Sequence, residues 1–315
     1  MQKLALALLA AACIATAGEA ADRAPRMRTL AEPLQFRPLG GSSPQLPRLA
    51  AQARKHALAS RKGIGSNAIV DESSGQTLVI AAVANTPGGF GTFFTSDLTL
   101  TNLTTEDQDI AIFYLARGQD SSASPGFRAT LPGDVPPATI ENVLDELGLT
   151  GVGALYIVPI TDNVEPEFDP DSSIDAYTRL LTPGDEGELS QSFPAIYPDY
   201  LTVETEALAL GHRQDPNFRV NAGVVNLSET AQSFSVTIFH ETGFTGLTIN
   251  VPPFSMNQVP IPAGDFGALS LLFFPNSDEA FEWIGYAASN DNRSGDSWSS
   301  FAGRIADPTG FGKRR

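Results

Sequence analysis

The chain has 315 residues, enough for about two domains, and a formal net charge of −16 that is distributed unevenly. Residues 76–306 contain seven arginines, no lysine and 30 acidic residues, a net charge of −23, whereas residues 23–62 contain nine basic residues and one acid. Because so acidic a body would repel a phosphate backbone, the composition argues against nucleic-acid binding.

The chain begins with a pattern that is typical of a signal peptide. Lys3 precedes the apolar run 4–17, and small residues continue to Ala20. We therefore predict a signal peptide at 1–20 and a secreted, periplasmic or cell-surface protein. The run is too short to span a bilayer, which needs roughly 20 apolar residues, and no later uninterrupted run approaches that length, so no transmembrane segment is expected.

The single cysteine, Cys13, lies inside this predicted leader. Cleavage after Ala17 or Ala20 would leave a mature chain without disulfides or cysteine-metal sites. The alternative is a lipoprotein anchored through Cys13, since residues 9–13 loosely match a lipoprotein cleavage box. The apolar run continues past Cys13, which favours ordinary cleavage.

Residues 21–75 are rich in Pro, Arg, Ala, Gly and Ser and show little apolar periodicity. We predict a disordered basic linker there, interrupted at most by a short helix within residues 46–62. Its cations could hold the protein against an acidic cell-surface polymer or another acidic module. A second short basic segment is predicted at 307–315.

From residue 77 onward the sequence is typical of antiparallel β-structure. Short runs of β-branched and aromatic residues alternate with clusters of Gly, Pro, Asn and Asp. In the run 109–117 both alternating faces are apolar, which predicts a central strand. Only residues 140–149 have helical spacing, which predicts one or two helical turns. The predicted fold class is all-β.

The same order of features occurs twice along the chain, which indicates an internal repeat. Two copies predict two tandem antiparallel β-sandwich modules, 76–198 and 199–306, each close to the length of about 100 residues of an immunoglobulin- or fibronectin-like domain. The matched positions are Asn102 with Asn226, Val135 with Val251, Gly153 with Gly267, Tyr177 with Tyr286, and Phe193 with Phe301.

Two motifs of this repeat resemble those of a loosely defined group of uncharacterised exported bacterial proteins with tandem sandwich units. The group has a TDLxLxN strand near the start of a unit and a DNRTGD turn near its end. The matching residues here are 96–102 and 291–296, while the first copy keeps only Gly184 and Asp185 of the turn. The resemblance implies fold and export, and no activity.

Two acidic loops supply the hard oxygen ligands that calcium prefers. An ordinary hairpin turn is the favoured alternative for both, because turns use the same Asp, Asn, Ser and Gly residues. No other cofactor is expected. The candidate calcium ligands are Asp169, Asp171 and Asp175 in one loop and Asp291, Asn292 and Asp296 in the other.

Trp283 and Trp298 flank the second acidic loop, with Tyr286 between them, and together they could stack against sugar rings. However, Trp283 and Tyr286 are an odd number of residues apart on a strand and therefore point to opposite faces. Core packing is the favoured role of these aromatic residues.

No sequence pattern identifies a catalytic site. The Gly-Asp-Ser sequence at 295–297 also begins the motif of one family of serine esterases, but no histidine follows His240 to activate a nucleophile. His212, Arg213 and Asp215 form a polar cluster that leaves a hydrolase as a remote alternative.

These patterns favour a non-catalytic, exported structural or adhesive protein. Its modules would act as spacers or as protein-binding surfaces, with exposed sheet edges pairing with a partner strand. The expected partner is a protein or a cell-surface glycan. The alternative is an accessory protein that binds calcium or carbohydrate, and the sequence predicts no oligomeric state.

Overall fold

The structure is a computed structural model, and it confirms the all-β class. The predicted signal peptide and the tail at 307–315 lie outside the described residues. No described helix is long and apolar enough to cross a membrane. The structure describes residues 33–40, 44–62, 77–88, 92–161, 164–184, 187–198, 200–201 and 206–304.

The strands up to residue 194 form one nine-stranded sheet in the order β1-β5-β4-β7-β2-β3-β8-β9, with β6 on β3. Strands β2 and β3 pair over only two residues, which divides this sheet into two halves. The strands are β1 (Arg37–Pro38), β2 (Leu78–Pro87), β3 (Phe93–Asn102), β4 (Gln108–Ala116), β5 (Gly126–Leu131), β6 (Ala138–Ile140), β7 (Gly151–Ile160), β8 (Ile174–Gly184) and β9 (Gly187–Pro194).

The strands from residue 200 onward form two five-stranded sheets. One has the order β10-β17-β12-β15 with β18 on β17, and the other has the order β14-β13-β16-β11-β19. The strands are β10 (Tyr200–Leu201), β11 (Ala207–Gln214), β12 (Phe218–Asn226), β13 (Gln232–His240), β14 (Gly243–Val251), β15 (Ser255–Pro260), β16 (Gly267–Pro275), β17 (Phe281–Asp291), β18 (Ser297–Phe301) and β19 (Gly303–Arg304).

The repeat in the sequence coincides with a repeat in strand order. The order β5-β4-β7-β2 recurs as β14-β13-β16-β11, and the order β6-β3-β8-β9 recurs as β15-β12-β17-β18. The register agrees for the asparagine and tyrosine pairs, because Tyr177 and Tyr286 each pair with the residue three positions before the repeated asparagine. Equivalent residues can therefore be compared directly between the two copies.

Three of the five matched pairs are shifted in the structure. Gly153 lies opposite Ala116, but the residue opposite the equivalent His240 is Leu269 and not Gly267. Ala138, three residues after Val135, lies opposite Leu100, but its equivalent is Asn257, six residues after Val251. The last pair is off by one residue. Phe193 pairs with Thr178, whereas Phe301 pairs with Tyr286. Pro194, and not Phe193, therefore lies opposite the tyrosine of the first copy. Because side chains alternate between the two faces of a strand, this shift places Phe193 and Phe301 on different faces of their sheets.

Both predicted helical segments are present, and one corrects the predicted linker. Helix α1 (Gln45–Lys62) buries one stripe at helical spacing, and α2 (Val143–Glu146) is the short helix predicted at 140–149. Disorder is therefore wrong for residues 33–40 and 44–62, while the rest of 21–75 lies outside the described residues. The buried side chains of α1 are Leu46, Leu49, Ala50 and Ala53.

The two sets of strands share one apolar core where they meet. Leu227, Met256 and Tyr286 of the second set belong to the same buried cluster as the first set. Helix α1 also reaches this junction, because Arg54 lies 3.8 Å from the Glu282 carboxylate. The two sets therefore pack against each other side by side.

Candidate protein-binding edge

Trp283 does not lie on a surface that could bind sugar. It is 1% exposed, and its ring centroid lies 5.1 Å from that of Phe234 in the second apolar cluster. Tyr286 lies in the first cluster on the other face of β17, as the odd spacing predicts. Trp283 is thus a core residue, which corrects its assignment as a candidate ligand contact.

Trp298 is half-buried and fixed by three neighbours. Its indole N–H donates to the Gly211 carbonyl at 2.9 Å, its ring stacks on His212 with centroids 6.4 Å apart, and the edge of Phe218 contacts it. Since Trp283 is buried, Trp298 has no second indole beside it to complete the predicted sugar platform.

The residues 291–296 form the hairpin turn that was the alternative to a calcium site. The Asp291 carboxylate accepts hydrogen bonds from the N–H groups of Arg293 and Ser294, which lower its pKa. The Asp291 N–H donates to the Asp296 carbonyl at 2.8 Å, and Asn292 accepts from an arginine of β12. The hydrogen bonds of Asp291 are the local ones that turns require, and the bond to Asn292 joins the turn to β12.

The first acidic loop is organised in the same way. Asp169 accepts from the Asp171 N–H and from the Gln108 side chain, and Asp175 accepts from the Ala176 N–H. Across the described ranges, no group of three or more His, Asp or Glu side chains is arranged to hold a metal ion.

His212 is buried between two serines. Its Nδ1 lies 2.7 Å from the Ser289 Oγ, and its Nε2 lies 2.7 Å from the Ser300 Oγ. Burial lowers the pKa of His212 to about 4, so the ring is neutral at pH 7. A neutral imidazole can donate through one nitrogen and accept through the other, and the two serines satisfy both.

The carboxylate of the predicted polar cluster does not orient this histidine. Asp215 instead accepts from the backbone N–H groups of Asn217 and Phe218 and pairs with Arg213. The hydrogen bond from Arg213 lowers the pKa of Asp215. His212 and Asp215 are therefore close in sequence but bind different residues. The serine partners of His212 come from other strands of the protein.

The repeated asparagines have the same structural role in both copies. In each, the side-chain oxygen accepts from the N–H and the hydroxyl of the residue two positions later. The side-chain NH₂ group donates to a carbonyl of the loop and to a second carbonyl, that of Leu131 at the end of β5 or of Pro252 just after β14. Asn102 and Asn226 thus fix the loop after β3 and β12, as the repeat predicts.

The two copies differ at one sheet edge. In the first copy, β1 pairs with the outer edge of β5, and the Leu39 N–H donates to the Gly126 carbonyl at 2.8 Å. Strand β14 is the equivalent of β5, and no described strand pairs with its outer edge. We call this edge, formed by residues 243–251, the open edge.

The backbone groups of the open edge can be assigned from one hydrogen bond. The Asn257 side chain donates to the Asn250 carbonyl at 2.9 Å, so this carbonyl points away from β13. Because backbone groups alternate in direction along a strand, those of Phe244, Gly246 and Thr248 also point outward. The Gly126 carbonyl of β5, which binds Leu39, also points outward. This agrees with the direction assigned to Gly246, because Gly126 and Gly246 occupy equivalent positions in β5 and β14.

Apolar side chains lie beside the open edge. Phe244 is 75% exposed, and it pairs across the strands with Phe239, which is 44% exposed. The nine residues of β14 include no charged residue and no proline. Charges and prolines are the usual protection of edge strands against pairing with another chain, so the open edge has neither.

The equivalent glycines of β5 and β14 differ in the space beside them. A Cβ atom at Gly126 would lie 2.6 Å from Phe113 and 2.9 Å from Leu39, the residue after β1. At Gly246 the one atom of the described residues within 4 Å would be the Val236 carbonyl oxygen at 3.6 Å. Among the described residues, nothing in the second copy fills the space that Leu39 fills in the first.

No protein-family model matches this chain, and no curated protein sequence matches it. The open edge must therefore be judged on its geometry. Sequence reasoning anticipated exposed sheet edges in general but did not identify residues 243–251. Two features of the sequence could have pointed to this edge. The strand at 243–251 carries no charged residue, and the second copy has no counterpart in sequence of the segment 33–40.

Proposed function

We propose that this is a non-catalytic, exported structural or adhesive protein that binds a protein partner through the open edge. The partner contributes an extended segment that adds a strand to β14, the mode of recognition called β-augmentation. The observation that carries this proposal is the difference between the copies, since β5 is covered by β1 and no strand within the described ranges covers β14.

Export and the tandem-module organisation rest on the sequence. The leader pattern at 1–20 and the resemblance to exported bacterial proteins support export, and the duplicated strand order supports two immunoglobulin-like modules at 76–198 and 199–306. The shared core at their junction favours a stiff body over two freely moving spacers. A stiff body presents the open edge in a fixed position.

The absence of catalysis is supported by the surroundings of His212. A histidine that activates a serine is oriented by a third group and has a pKa near the working pH. Here the pKa of His212 is lowered to about 4, its second nitrogen faces the buried Ser289, and Asp215 is held by Arg213.

The proposal is tested by placing a charge on the open edge. Thr248→Lys puts a lysine on an exposed edge position, while Ser270→Lys adds the same charge on the same sheet face, in β16, two strands away. We expect Thr248→Lys to abolish retention of the purified mature protein on envelopes of the producing cells. Ser270→Lys should bind as the wild type does. Equal retention of both variants would show that the open edge binds no protein of the envelope.

A further inference from the structure

We propose that the strand bound by the open edge is β14 of a second copy of this chain. The two strands run antiparallel about a two-fold axis, so that two five-stranded sheets become one continuous ten-stranded sheet. This inference rests on the proposed function and names the partner for the same edge.

The register follows from the outward-facing residues. With the axis at Gly246, this glycine pairs with its own copy, and Phe244 lies opposite Thr248 of the second copy. Phe244, Gly246 and Thr248 all direct their backbone groups outward, so three residue pairs exchange about six hydrogen bonds. The pairing ends before Asn250, whose carbonyl is already bound by Asn257.

The side chains of such a pair are complementary. In the first copy the space above Gly126 is filled by Phe113 and Leu39, whereas Thr237 occupies the position of Phe113 in the second copy. Phe244 of the second copy would lie diagonally across the strands from Gly246 and cover it. An aromatic side chain that covers a cross-strand glycine is a known means of stabilising sheet edges.

Charge favours β14 over other contacts between two copies. Each chain has a net charge of −16, so most approaches between two copies are repulsive. Strand β14 has no ionisable side chain over its nine residues and allows the backbones to meet without placing like charges together. Because salt screens the remaining repulsion, added sodium chloride should strengthen the pairing.

Sedimentation equilibrium of the mature protein over a concentration series measures the pairing. We expect a monomer–dimer equilibrium whose dissociation constant falls as sodium chloride is raised. Thr248→Lys should raise this constant at least about tenfold, a change of about 1.4 kcal/mol, and Ser270→Lys should leave it unchanged. Circular dichroism and thermal melts confirm that both variants fold.

A cysteine at the two-fold axis tests the register directly. The Cα atoms of a hydrogen-bonded antiparallel pair are about 5.5 Å apart, which is within the range of a disulfide. Gly246→Cys, in a chain cleaved after Cys13, should give a covalent dimer under mild oxidation, while Ser270→Cys should remain monomeric.

A wild-type protein that is monomeric at every concentration and salt condition would overturn the inference, as would a dimer that survives Thr248→Lys. The proposed function fails separately. If Thr248→Lys abolishes retention on envelopes while the wild type remains a monomer, the open edge binds another protein and only the self-pairing is wrong.

Discussion

Gly126 and Gly246 occupy the same place in the two copies but have different neighbours. An added Cβ would meet the buried Phe113 ring at 2.6 Å in the first copy, whereas in the second its nearest neighbour among the described residues is the Val236 carbonyl oxygen at an ordinary 3.6 Å. Gly126→Ala should therefore lower the free energy of unfolding by about 1–3 kcal/mol. Gly246→Ala should change it by less than about 0.5 kcal/mol. Urea denaturation of the two variants measures both, and equal losses would contradict the free space at β14.

His212 should make stability depend on pH in a defined window. Its pKa is about 4 in the folded protein and about 6.5 in an unfolded chain, so the unfolded state binds the proton first as pH falls. The stability present above pH 6.5 is therefore lost progressively as pH falls towards 4, by about 2 kcal/mol between pH 7 and pH 5.

The comparison with His212→Gln isolates this contribution. Groups such as Asp215 and Asp291, whose pKa values are lowered by hydrogen bonds, titrate equally in both proteins and cancel. The wild type should lose about 2 kcal/mol more than the variant between pH 7 and pH 5 in urea denaturation. Parallel pH profiles would show that His212 is accessible to water and protons.

Sequence reasoning at the residue scale succeeded where the relevant contacts are local. The turn at 291–296 was predicted, and its Asp291 carboxylate accepts hydrogen bonds from residues two and three positions later. The serine partners of His212 come from β17 and β18, far along the chain. No local pattern indicates such partners.

Helix α1 was hard to predict from the sequence because of its composition. Its 18 residues are mostly Ala, Arg, Lys and Gln, and its apolar stripe consists of two leucines and two alanines. An apolar stripe this small gives a weak periodicity signal in the sequence, although all four of its side chains are buried in the core. Of its basic residues, Lys55 is exposed, whereas Arg48 and Arg54 are half-buried and contact Pro166 and Glu282 in the β-sheets' loops and strands.

The helix should contribute directly to stability. Leu49 is fully buried and Leu58 is 37% exposed on the same helix, so the two form a matched pair. Leu49→Ala should lower the free energy of unfolding by about 2–5 kcal/mol. Leu58→Ala should change it by less than about 0.5 kcal/mol. Two neutral substitutions in chemical denaturation would instead support the disordered linker.

The open edge is also a property of a single element, the strand β14, and the sequence alone did not locate it. Strands β5 and β14 both follow a hairpin and both carry the repeated glycine, at 126 and 246. Whether such a strand is covered depends on a segment from elsewhere in the chain, which is β1 for the first copy, whereas no described segment pairs with the outer edge of β14. The lack of charge in β14 is a local difference from β5, which carries Arg128, and it does not by itself determine whether another strand pairs there.

At the scale of the whole molecule, the repeat was visible in the sequence and the junction was not. Matched motifs recur at regular order because each copy builds the same strands. The junction residues Leu227, Met256 and Tyr286 look like ordinary core positions of the second copy. Only the folded arrangement shows that they pack against the first copy.

The central claim is that the open edge binds a strand from another chain. A photo-crosslinking amino acid at position 248 in the producing cells tests it most directly, with position 270 as the control on the same sheet face. We predict an adduct at position 248 and none at position 270, and mass spectrometry of the adduct identifies the partner as a second copy or another protein. No adduct at position 248, or equal adducts at both positions, would contradict the claim.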